Sequence, residues 1–130
     1  MGFSKAKVAQ TISVAFTVRV IDDRYEGVES QADVVHTFTR PTIKQREFYR
    51  QMAHSFVGGK AQLKLTKANL ALWQECIQSV SGYDDLPEGD FKPYFMNDDI
   101  GKEHADAAVR IMLDRISETE AELEKNSDGL

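Results

Sequence analysis

Three histidines, one cysteine and the aspartate pairs Asp84-Asp85 and Asp98-Asp99 are the residues in this chain whose types could support chemistry. His36, His54 and His104 stand far apart, with no HxH or HExxH spacing. A zinc centre needs four converging ligands, and the single Cys76 supplies at most one of them. No metal site is expected, and each histidine reads as solvated or as a helix cap, including His104 with Glu103 and Asp106 beside it. Asp84-Asp85 and Asp98-Asp99 could hold a cation, but they lack the alternating acids, glycine and closing glutamate of an EF-hand. Turn and cap duty accounts for them.

Gly58-Gly59-Lys60 lacks the upstream glycine and the following Ser or Thr of a phosphate-cradling loop. No GxSxG context places a nucleophilic serine. No catalytic residue and no cofactor is therefore assigned, and the chain is not expected to be an enzyme.

The remaining candidates are surfaces. Arg40, Lys44, Arg46 and Arg50 form a basic patch on a chain of net charge −5 and pI about 5.2. The plain reading is a solvated helix face, helped by Glu47; the functional one is docking of an acidic segment or nucleic acid. No basic stripe extends the patch, and the acidic balance disfavours general nucleic-acid coating. A lone cysteine cannot close an internal disulfide, which points to a reducing compartment. No apolar run approaches the roughly 20 residues of a membrane span. MGFSKAKVAQ has no apolar stretch of a signal peptide, and Gly2 with Ser4 fits a myristoylation signal poorly. A cytoplasmic protein is expected.

These residues must be positioned by a chain of 130 residues, 42% hydrophobic and 28% charged, the composition of one globular domain over 1–130. Residues 1–8 read as a basic tail. Residues 9–39 are β-rich. Ile12, Val14, Phe16, Val18 and Val20 alternate with Thr11, Ser13, Ala15, Thr17 and Arg19, which predicts a half-buried antiparallel strand. Asp22 to Gly27 marks a turn. A second strand over about 32–39 leaves its inward face open, because Val34 and Val35 conflict. A two-stranded ribbon alone is marginal in water, so it must pack on helices, gain a strand or pair with another copy.

Pro41 ends the strand and biases Arg40 toward extended backbone. Thr42 with Gln45 makes a capping box that opens a helix over 42–57. Its apolar stripe, Phe48, Tyr49, Met52, Ala53 and Phe56, reads as core, with a partner groove as the alternative. Gly58-Gly59 ends the run. Residues 60–65 alternate weakly and read as loop or edge structure. A second helix is predicted over 66–81, capped by Thr66 and Gly82, with Leu70, Trp73, Cys76, Ile77 and Val80 on its buried face. Residues 82–98 form a long loop whose aromatics pin it to the core or offer it to a partner. A last helix over 99–125 carries Ala105, Val109, Met112, Ile116 and Leu123 on one seam, and its lower half frays or packs on another helix. NSDGL reads as a tail. The fold class is α+β: an N-terminal antiparallel ribbon or small sheet packed with three main helices.

The order of these parts resembles the small tail assembly chaperones of long-tailed bacteriophages and prophages. The likeness is carried by VVHTFTRPTIKQREFYR, a strand running into an Arg-Pro-Thr turn and a basic helix. It continues in LALWQECIQSVSGYDDL, a helix ending at a glycine before an acidic loop, and in IGKEHADAAVRIML, a closing helix. It spans roughly residues 10 to 116 and is one of pattern and order.

The resemblance implies binding to the tape-measure protein and recruitment of tail-tube subunits. It implies no bond-making chemistry, and absence from the finished particle. Self-association into a homo-oligomer is expected with it. Periodicity, not the family, nominates the contact residues: Val109, Met112, Ile116, Leu123, Tyr94, Phe95 and Met96, with Arg40, Arg46 and Arg50 as a basic flank. A structural tail or head-tail connector subunit is the alternative. A small regulatory nucleic-acid-binding module is another.

Overall fold

A computed structural model describes residues 10–21, 29–57, 60–63 and 65–128, with side chains described over 10–20, 31–54 and 65–121. The tail at 1–8, the turn at Asp22 to Gly27 and the Gly58-Gly59 stop lie outside the described residues.

The sheet follows from the alternation. β1 (Thr11–Ile21) pairs antiparallel with β2 (Glu29–Thr39), Thr11 facing Thr39 and Ile21 facing Glu29. Val14 is fully buried, Ile12, Phe16 and Val18 are half-buried, and Thr11, Ser13, Ala15, Thr17 and Arg19 are exposed. Register settles the face of β2: Val34, His36 and Phe38 lie opposite Phe16, Val14 and Ile12, and all three are buried. The outer face is polar, with a Ser13–Thr37 hydroxyl pair at 3.0 Å and Thr17 donating to Asp33 at 2.9 Å.

The capping box forms as its sequence predicts. Gln45 N–H donates to Thr42 Oγ1 at 3.1 Å, and Thr42 N–H donates to Gln45 Oε1 at 2.9 Å. The helix it opens, α1 (Ile43–Ala53), is shorter than the predicted 42–57. Its last predicted turn is instead β3 (His54–Val57), which forms a hairpin with β4 (Lys60–Leu63). Residues 60–63 are thus a strand.

α2 (Leu65–Cys76) begins before Thr66, so Thr66 lies within its first turn. The predicted helix over 66–81 stops at Cys76. Residues 77–81 form β5 (Ile77–Ser81), which pairs antiparallel with β2 to give the sheet order β1-β2-β5. Gly82 therefore follows a strand and does not cap a helix. It has φ +92°, and a Cβ there would meet the Asp33 carbonyl oxygen at 2.4 Å, so both conformation and space demand glycine.

The long loop 82–98 contains a short helix, α3 (Lys92–Met96). α4 (Asp99–Asp128) closes the molecule, continuing through most of the expected NSDGL tail. Gly101 is the point of closest approach between α3 and α4, where a Cβ would lie 2.4 Å from the Phe95 carbonyl oxygen. The core lies between the inner face of the sheet and α2, α3 and α4, built from Val14, Phe38, Leu72, Trp73, Phe95, Val109 and Met112. The fold is α+β with an N-terminal antiparallel sheet, as the patterning predicts.

Candidate functional site

Two of the three histidines meet at the centre of this core. Strand alternation turns His36 inward from β2, where it is fully buried against Phe16, Phe38, Trp73, Tyr83 and Phe95. This corrects the expectation of a solvated or capping role. Trp73 Nε1–H donates to His36 Nδ1 at 3.0 Å. Indole nitrogen is a donor only, so His36 carries its proton on Nε2. That proton goes to Tyr83 Oη at 2.7 Å. The Tyr83 hydroxyl also lies in hydrogen-bond contact with His104 Nδ1 at 3.1 Å.

Burial, and then the neighbouring His104, lower the His36 pKa from 6.5 to about 3. Burial lowers His104 as well, against the opposing pull of Glu103 and Asp98, and it raises Tyr83. Both ring nitrogens of His36 are occupied and the group is closed off. It behaves as a satisfied polar device within the core, with no lone pair offered to a substrate.

A second polar chain ties three helices together. Tyr49 of α1 donates to Asn69 Oδ1 at 2.6 Å; Asn69 Nδ2 donates to Asp106 Oδ1 at 2.6 Å. Asp106 also receives Arg110 Nε at 3.2 Å. Asn69 is fully buried and has both ends of its amide satisfied. Cys76 is buried, donates weakly to Gln45 Oε1 at 3.7 Å, and has its thiol pushed up to about 11 by burial and by Glu75. Among the described residues, no group of three His, Cys, Asp or Glu side chains could hold a metal ion.

The residues nominated for partner binding divide into two sets. Val109 and Met112 are fully buried, Phe95 likewise, and Ile116 is 3% exposed. The sheet and α2 already cover that seam, so these four are core and present no surface to a partner. Tyr94 and Met96 are half-buried against the core. Tyr94 Oη donates to Asp85 Oδ1 at 2.5 Å, and burial followed by Asp85 raises its pKa to about 12. Leu123 lies on α4, its side chain outside the described residues.

The basic patch is also divided. Arg46 turns to α4 and forms an ion pair with Glu120. Arg40 is half-buried, its N–H held by the Gln10 carbonyl at 2.8 Å. Arg50 remains exposed.

An open surface among the described residues lies elsewhere. α1 and α2 leave a shallow groove lined by Gln45, Phe48, Tyr49, Met52, Ala68, Ala71, Leu72 and Glu75. Phe48 is 54% exposed on its rim, and Ile43 on the same helix is 69% exposed. Phe48 belongs to the stripe read as core; its exposure corrects that reading at this residue, while Ala53 is buried and Tyr49 packs against the core. The missed signal is on α2, where Ala68 and Ala71 are too small to fill the space beside it.

No family model matches the chain, and no curated protein or solved structure does. Among the described residues, no helix is long and apolar enough to cross a membrane.

Proposed function

We propose that this protein works by binding other chains, as a tail assembly chaperone of a long-tailed phage or prophage acting in the host cytoplasm. Its clients on this reading are the tape-measure protein and the tail-tube subunits, and self-association belongs to the same reading. The observation that carries the binding role is the groove between α1 and α2, with Phe48 exposed on its rim. An amphipathic helix meets such a groove through apolar anchors spaced one turn apart, and Met52 is a side chain that adapts to varied surfaces. The order of motifs along the chain supplies the tail-assembly part of the reading. The client face is moved from the α4 seam to this groove, because the seam is internal.

Co-expression with the tape-measure protein of the same phage tests the proposal. A co-purifying complex that Phe48→Ser weakens at least tenfold is the expected result. Recovery of the protein in stoichiometric amount from purified particles would instead assign it to the tail or connector structure. Arg46 is engaged by Glu120, while Lys44 and Arg50 stay exposed, so the nucleic-acid alternative keeps part of its basic face.

A further inference from the structure

The groove between α1 and α2 has an order along its length. Gln45, near the start of α1, touches Cys76 at the end of α2, and Tyr49 touches Asn69 near the start of α2, so the two helices run antiparallel. The lining residues therefore fall on three levels about one helical turn apart. Glu75 stands at the first, Ala71 at the second and Ala68 at the third.

The ridge of α1 beside the groove carries three matching levels. Lys44, Phe48 and Met52 follow at intervals of four residues and stand in one row. Lys44 is exposed, Phe48 is 54% exposed and Met52 is half-buried. Level by level, the ridge presents a cation, an aromatic ring and a methionine where the groove presents a carboxylate and two small residues. Among the described residues, neither the Lys44 ammonium nor the Glu75 carboxylate has an ion-pair partner within the chain.

We propose that a second copy of this chain fills the groove, its α1 ridge lying parallel to the first copy's α1, about a two-fold axis that runs along the helices. Each Phe48 then packs over Ala71 of the other copy, and each Lys44 meets Glu75 of the other copy. The two α1–α2 pairs join as a four-helix bundle. Charge decides the direction. An antiparallel ridge would carry Lys44 to the far end of the groove, beside the exposed Lys67, where like charges repel. A foreign helix could enter the groove in either direction, but it would need the same order of basic, aromatic and methionine side chains to match all three levels. This chain's own α1 has that order, which favours a second copy. The same patch serves both copies, so the contact closes at a dimer.

The regulatory consequence rests on the groove being the client site. The dimer covers that site and withdraws Phe48 from water, so a client helix must displace one copy to bind. The apparent affinity for the client then falls as the concentration of this protein rises.

Charge exchange tests the contact. Lys44→Glu and Glu75→Lys each set like charges against one another at both contacts of the dimer. Each variant alone should show a dimer dissociation constant raised on the order of tenfold or more by light scattering. Both residues are exposed, so the circular dichroism spectrum should not change. Mixed in equal amounts, the two variants should associate as a heterodimer, because opposite charges then face each other at both contacts. A Lys44–Glu75 pair inside one chain would give no such rescue.

A wild-type monomer at all concentrations, a mixture no more associated than its components, or a dimer that Phe48→Ser leaves intact would overturn the proposal. A monomer that binds the tape-measure protein through Phe48 would sink the dimer and keep the groove as the client site. A charge-exchanged heterodimer whose association the tape-measure protein never disturbs would keep the contact and sink that client reading.

Discussion

Indole nitrogen cannot accept a hydrogen bond, and that fixes the protons from Trp73 through His36 to the Tyr83 hydroxyl. Replacing His36 with Leu strands the Trp73 N–H in the core. Urea unfolding should show a loss of about 2–3 kcal/mol, within the range for a buried donor left unmade. The same group sets a pH dependence. Folded His36 titrates at about 3 and the unfolded residue at 6.5, so the unfolded chain takes up its proton first. Its contribution is complete above pH 6.5 and is lost as pH falls toward 3. His104 shifts in the same direction and adds to the effect. Urea midpoints measured between pH 7.5 and 4 should fall, and more shallowly in His36→Leu. Nothing local in the sequence distinguishes His36 from His54. The distinction comes from strand parity and from a tryptophan 37 positions away, so it becomes legible only once β2 is placed.

At the scale of elements, local chemistry was readable and long-range pairing was not. Pro41, Thr42 and Gln45 announce the start of α1 because every partner lies within one turn. Thr42→Ala should cost about 1 kcal/mol, measured by chemical denaturation. β5 shows the opposite case. Thr37 pairs with Ser79 and Phe38 with Ile77, so Gln78 is an extra residue in a bulge. The bulge lets Ile77 and Val80 both face inward although they are three positions apart. Three is also a helical spacing, and the run from Leu70 through Val80 therefore reads as one helix until β2 is there to pair with it. The α4 seam misled in a different way. Its periodicity correctly marks a buried face, but periodicity does not say whether the cover is this chain or another. Met112→Asp places a charge in the core and should abolish the cooperative unfolding transition by circular dichroism. Gly101→Ala should destabilise by about 1–3 kcal/mol, since its Cβ would press on the α3 backbone.

At the scale of the whole molecule, a sheet with one polar face is roofed by helices on the other. The α+β class followed from the alternation of β1 and the stripes of α1 and α4. The candidate binding groove did not, because it depends on how α1 leans on α2. The Tyr49–Asn69–Asp106 chain helps set that lean, binding α1, α2 and α4 to one another. Asn69→Leu should loosen α1 and lower both stability and client binding. Phe48→Ser should lower client binding alone, a contrast that paired melting and binding measurements will read.

The placement of Cys76 has a further consequence. It is the chain's lone sulfhydryl, buried and held largely protonated by a pKa raised to about 11. Alkylating reagents can reach it only during the moments when the domain comes apart. Its labelling rate is therefore an internal clock for rare opening events, and a client that clamps α1 onto α2 should make that clock run slower.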